Sequence, residues 1–84
     1  MKRYRITYSR RDRKYTSEGT LPELRDAFRY TLEKGASWQH EKGRKKINIH
    51  PATIGSLVQN LYNAENNAAA DGYSGFWFEY EEIL

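Results

Sequence analysis

Eight basic side chains stand in two short runs, Arg10, Arg11, Arg13 and Lys14, then Lys42, Arg44, Lys45 and Lys46. Arginine and lysine at this density do one kind of chemistry well, the capture of phosphate or carboxylate anions. Only Asp12 interrupts the first run, and only Glu41 adjoins the second. All fourteen Lys and Arg residues precede Ile47, while the thirty-eight residues after Lys46 carry five acids and no base. Such an asymmetry points either to a polyanionic partner or to charge pairing within the fold.

Catalytic constellations are scarce by comparison. The two histidines, His40 and His50, do not stand at a metal-binding spacing, and no cysteine supplies a thiolate. No serine sits in a nucleophile-elbow context. The Asp71-Gly72-Tyr73-Ser74-Gly75 glycines follow an expected helix rather than open one, so they form no phosphate cradle. The expectation is a non-enzymatic protein without cofactor or metal, and no small-molecule substrate is evident.

The elements that would position these residues are legible from periodicity. Tyr4, Ile6 and Tyr8 alternate with Arg3, Arg5 and Thr7, the pattern of a half-buried strand. A reversal through Arg10-Arg11-Asp12-Arg13 places Ser9 opposite Lys14, Tyr8 opposite Tyr15 and Arg5 opposite Glu18. Thr20 and Glu23 form a T-x-x-E capping box with Pro22 in the first turn. The first helix then runs on Leu21, Leu24, Phe28 and Leu32 and is expected to stop at Gly35.

A second hairpin is expected around Lys42-Gly43, with Trp38, Ile47 and Ile49 on its apolar face. Pro51 opens a second helix with an inward stripe of Ile54, Leu57, Val58, Leu61 and Tyr62. Its other side is Gln59, Asn60, Asn63, Asn66 and Asn67, a neutral polar face. That helix is expected to stop at Asp71-Gly72, with a loop from Gly72 to Gly75. A last strand, Phe76 to Glu81, turns Phe76, Phe78 and Tyr80 one way and Trp77, Glu79 and Glu81 the other.

The order ββα-ββα-β implies one compact α+β domain over residues 1–84. It is a twisted, mainly antiparallel sheet of about five strands with two helices on one face. An offset of thirty relates Leu24, Ala27, Phe28 and Leu32 to Ile54, Leu57, Val58 and Tyr62. Seven Tyr, three Phe and two Trp would supply much of the core volume. No apolar run approaches the roughly 20 residues of a membrane helix, so a cytoplasmic protein with no membrane partner is expected.

Arg3 and Arg5 share their spacing with Glu79 and Glu81, so adjacent first and last strands would neutralise that surface internally. The two hairpin tips would keep their charge and project from one edge. The leading expectation is therefore a binding module that holds nucleic-acid backbone through its basic tips. An alternative is a small inhibitor or adaptor of the phage or mobile-element type. It would use the same tips on an acidic protein surface, such as that of a defence nuclease. A third is a structural or oligomerising accessory protein. Trp77, Asn60, Asn63 and Asn67 would form a secondary interface.

Overall fold

The computed structural model describes residues 1–69 and 75–84. Two strands open the chain, β1 (Arg3–Arg10) and β2 (Arg13–Thr20), followed by helices α1 (Leu21–Ala27), α2 (Arg29–Ser37) and α3 (Ile54–Ala68), then β3 (Trp77–Ile83). The three strands form an antiparallel sheet in the order β2-β1-β3. The α+β class agrees with the sequence pattern, but three strands and three helices replace the expected five and two.

The first hairpin has the expected register, with Ser9 on Lys14, Tyr8 on Tyr15 and Arg5 on Glu18. Its turn is a two-residue loop in which Arg11 (φ 51°) and Asp12 (φ 66°) are both left-handed. That backbone twist matches the twist of paired strands, even without the usual Asn-Gly pair. Tyr8 anchors the helix-facing side. It stacks on Tyr15 (5.3 Å between centroids) and Phe78 (5.5 Å) and meets Phe28 edge-on (5.4 Å).

The capping box closes as read, with Thr20 N–H donating to Glu23 Oε1 (2.9 Å) and Glu23 N–H to Thr20 Oγ1 (3.4 Å). The Thr20 backbone N–H foremost, and then the Thr20 hydroxyl, hold the Glu23 carboxyl below its ordinary pKa. The helix is distorted at Phe28 (φ −101°, ψ 9°), which separates α1 from α2. Hydrogen bonding still spans the break, from Phe28 N–H to Leu24 (3.0 Å) and from Leu32 N–H to Phe28 (3.1 Å).

Gly35 does not stop the helix. It lies inside α2, buried against Ala64 of α3, where an added Cβ would overlap the Ala64 Cβ and Cα atoms. This glycine permits close approach of two helices, and α2 therefore runs on to Ser37. The second hairpin loses its first strand at once. One-turn bonds continue from Trp38 N–H to Gly35 (3.2 Å), Gln39 N–H to Ala36 (3.1 Å) and Glu41 N–H to Trp38 (3.1 Å). A turn does occur at Lys42-Gly43, with Gly43 at φ 80° and Arg44 N–H bonded to Glu41 at 3.0 Å.

Beyond it no ladder forms, because side chains take its bonds. Gln39 accepts from Ile47 N–H (3.1 Å), Asn67 from Lys45 N–H (2.8 Å) and Asn60 from Asn48 N–H (2.7 Å). Of the expected apolar face only Ile47 is buried, while Trp38 and Ile49 remain exposed. The two-unit repeat suggested by the thirty-residue offset accordingly lacks its second strand pair.

Thr53 caps α3 by accepting from Ser56 N–H at 3.1 Å. Leu57, Leu61 and Ala64 are buried with Ile6, Leu24, Phe28, Leu32 and Ile47. Tyr62 stays exposed and meets Phe76 edge-on at 5.3 Å, so the inward stripe is rotated toward α2. The expected stop at Asp71-Gly72 and most of the Gly72–Gly75 loop lie outside the described residues.

Candidate functional site

The structure sorts the basic residues by whether the fold already uses them. Arg5 sits between two acids on the open sheet face, its Nε 2.9 Å from Glu18 and its Nη1 bonded to Glu81. These bonds, the one to Glu18 first, raise its pKa further. Arg3 faces Ile83 rather than Glu79 and pairs with Glu23 at 3.6 Å. Lys2 pairs with Glu82 (3.6 Å) and Arg29 with Glu33 (2.9 Å). The expected neutralisation of the sheet face thus holds for Arg5. For Arg3 it works through the capping glutamate, and Glu79 faces Thr7.

The two basic runs fare differently. Arg10 donates to Glu65 of α3, whose side chain is only 16% exposed. Lys14 places its ammonium 5.7 Å from the ring centroid of Trp77, so the cation over that ring is Lys14 and not Arg3 or Arg5. Arg44 is half-buried and reaches the Asn66 carbonyl at 3.5 Å. Arg11, Arg13, Lys42, Lys45 and Lys46 are exposed. Among the described residues no acid lies within ion-pair distance of these five.

The two runs meet at one end of α3. Arg10 is anchored on Glu65, Arg44 on Asn66 and Lys45 on Asn67, three consecutive helical residues. A helix turns about 100° per residue, so the β1–β2 turn and the 42–46 segment flank its last turns from different sides. The carbonyl end of a helix carries partial negative charge, and α3 has no basic residue in its own last turn. Arg10 and Arg44, supplied from elsewhere in the chain, complement it.

Lys34 joins this group. It is exposed near the end of α2 and lines a cleft with Arg10, Arg11 and Glu65. In sequence it reads as an ordinary last-turn lysine. Its place beside the cleft becomes visible only once Gly35 brings α2 onto α3.

The asparagine face of α3 is largely an internal device. Asn67 is 2% exposed, accepts from Lys45 N–H and donates to the carbonyls of Lys45 (2.7 Å) and Gly35 (3.1 Å). Asn60 accepts from Asn48 N–H and donates to the Ser56 carbonyl (2.8 Å), and Asn63 accepts from Gln59 (3.1 Å). Asn67 is therefore not available as the interface residue the sequence suggested. Trp77 is exposed on the open face of the sheet.

No family model matches this chain, and neither curated proteins nor solved structures give a significant match. The site has to be read from its own chemistry. His40 Nε2 lies 3.5 Å from Gln39 Nε2, and the His50 N–H donates to Asn48 (2.9 Å). Among the described residues no three His, Asp or Glu side chains are grouped to hold a metal ion. The arrangement holds Arg10, Arg44 and the Lys45 backbone at the end of one helix and leaves Arg11, Arg13, Lys42, Lys45 and Lys46 exposed beside them in sequence.

Proposed function

We propose that this chain is a non-enzymatic cytoplasmic binding module, acting as one domain, that holds nucleic-acid backbone on its basic end. The supporting observation is the sorting of charge. Lys2, Arg3, Arg5, Arg10 and Arg29 are paired with acids, whereas Arg11, Arg13, Lys34, Lys42, Lys45 and Lys46 are exposed and have no acidic partner among the described residues.

Four of those six cations are lysines. An ammonium acts as a point charge, without the planar, two-pronged geometry by which arginine captures a carboxylate or a phosphate. A lysine-rich set of cations therefore imposes little geometry of its own and suits contact with a repeating phosphate backbone. Sequence preference would be weak, because phosphate contacts position a nucleic acid and carry no base information.

The test compares the parent with two charge-reversed variants, Arg11→Glu/Arg13→Glu and Lys45→Glu/Lys46→Glu. Binding to labelled oligonucleotides is read by fluorescence polarisation. Both variants are expected to lose most binding while keeping the parent's circular dichroism. A parent protein that binds no oligonucleotide but is held by an acidic host protein would replace this reading with the inhibitor.

A further inference from the structure

We propose that the cleft between the β1–β2 turn, α2 and the end of α3 takes up one unpaired nucleotide, making the ligand class single-stranded nucleic acid. This rests on the backbone-binding reading above and adds to it a place for a base.

The cleft has a volume of about 670 Å³ and combines three features that a nucleotide needs. Its lining includes the small residues Ala64, Ala68 and Ala69, whose side chains do not reach into the space. Two aromatic rings line it: Phe76, which is buried, and Tyr30, which is 76% exposed. Its remaining lining includes the cations Arg11 and Lys34.

Charge complementarity selects the occupant. An uncharged apolar ligand would leave Arg11 and Lys34 unused, and an inorganic anion would leave the aromatic and alanine surface unused. A nucleotide uses both, with its phosphate on the cations and its base against a ring. The Arg10–Glu65 pair also lines the cleft and offers donor and acceptor groups to a base edge. A base inside a duplex is stacked and paired, so only an unpaired one can enter without an unpairing cost. Stacking on an aromatic side chain is tolerant of sequence, consistent with a backbone-directed module.

The experiment measures polarisation of a labelled ten-nucleotide single strand and a duplex of equal length, with the parent, Tyr30→Ala and Ala68→Trp. Tyr30 is on the surface, so its truncation leaves the core intact. Ala68→Trp fills the cleft without changing charge, and denaturant titration confirms that each variant is folded. Each variant is expected to weaken single-strand binding on the order of tenfold and to leave duplex binding within about twofold. Folded variants that bind the single strand like the parent would overturn the inference and leave the backbone reading intact. Equal losses for both ligands would overturn it as well. Absence of any oligonucleotide binding by the parent would remove the underlying reading and the inference together.

Discussion

Asn67 holds Lys45 by both polar groups of its backbone, accepting from its N–H at 2.8 Å and donating to its carbonyl at 2.7 Å. A single helical side chain thereby does for the basic segment what a neighbouring strand would otherwise do. The same amide also donates to the Gly35 carbonyl, so α2, α3 and the 42–46 segment share one buried junction.

Removing that junction should cost stability and weaken binding in proportion. Asn67→Ala strands the Lys45 N–H and at least one carbonyl, at about 1–3 kcal/mol for each buried group left unpaired. Urea denaturation should show a loss of about 2–4 kcal/mol, the lower part of that sum because the Lys45 groups are only partly buried. Amide exchange at Lys45 should accelerate more than exchange at Ile6.

Gly35→Ala should destabilise despite the better helix propensity of alanine. Propensity favours the change by about 1 kcal/mol, whereas overpacking a close helix contact costs about 1–3 kcal/mol or more. The backbone of Ala64 lies among the atoms that the new methyl would meet, so the second effect wins. Ala64→Gly in the same chain should restore part of the loss, and chemical denaturation of the single and double variants measures the coupling.

The β1–β2 turn should tolerate improvement. Arg11 and Asp12 both occupy left-handed backbone, which costs an ordinary residue about 1–2 kcal/mol. Arg11→Asn with Asp12→Gly supplies the residues this turn favours and should stabilise by about 1 kcal/mol. Thermal denaturation should register the gain, and the lost arginine should weaken oligonucleotide binding at the same time.

Acid should weaken the fold partly through Glu23. Its pKa is lower in the folded chain than its ordinary value of 4.5, because the charged form accepts the Thr20 N–H. The unfolded chain therefore takes up this proton first as pH falls. The contribution is present above the ordinary value and disappears as pH drops through the depressed one. Glu23→Gln should flatten the dependence of unfolding free energy on pH below about 4.5, with its loss of stability present at pH 7 and vanishing once pH falls below the depressed value.

The chain from Arg3 to Ala27 reads well because local chemistry agrees with tertiary packing there. Alternation around Ile6, the Arg5–Glu18 pairing and the Thr20–Glu23 box each specify an element without long-range information. The Trp38–Ile49 segment misled for a physical reason. Its alternation satisfies a strand pattern, but Gly35 is required at a helix contact and carries α2 past the point where a strand would start. The hydrogen bonds that would then be missing come from Gln39, Asn60 and Asn67, side chains whose reach is not encoded by periodicity. Lys34 was hidden by the same contact. The division of Arg5 from the turn cations was legible, since it needs only the pairing of the first and last strands.

The most direct measurement of the central claim is a salt titration of oligonucleotide binding by the parent protein. Engagement of about five to seven phosphates by the exposed cations predicts a log–log slope of roughly −4 to −6. Reversing Lys45 and Lys46 should make that slope shallower by about two contacts. No measurable binding to single or double strands at about 50 mM salt, or binding that is indifferent to salt, would contradict the account.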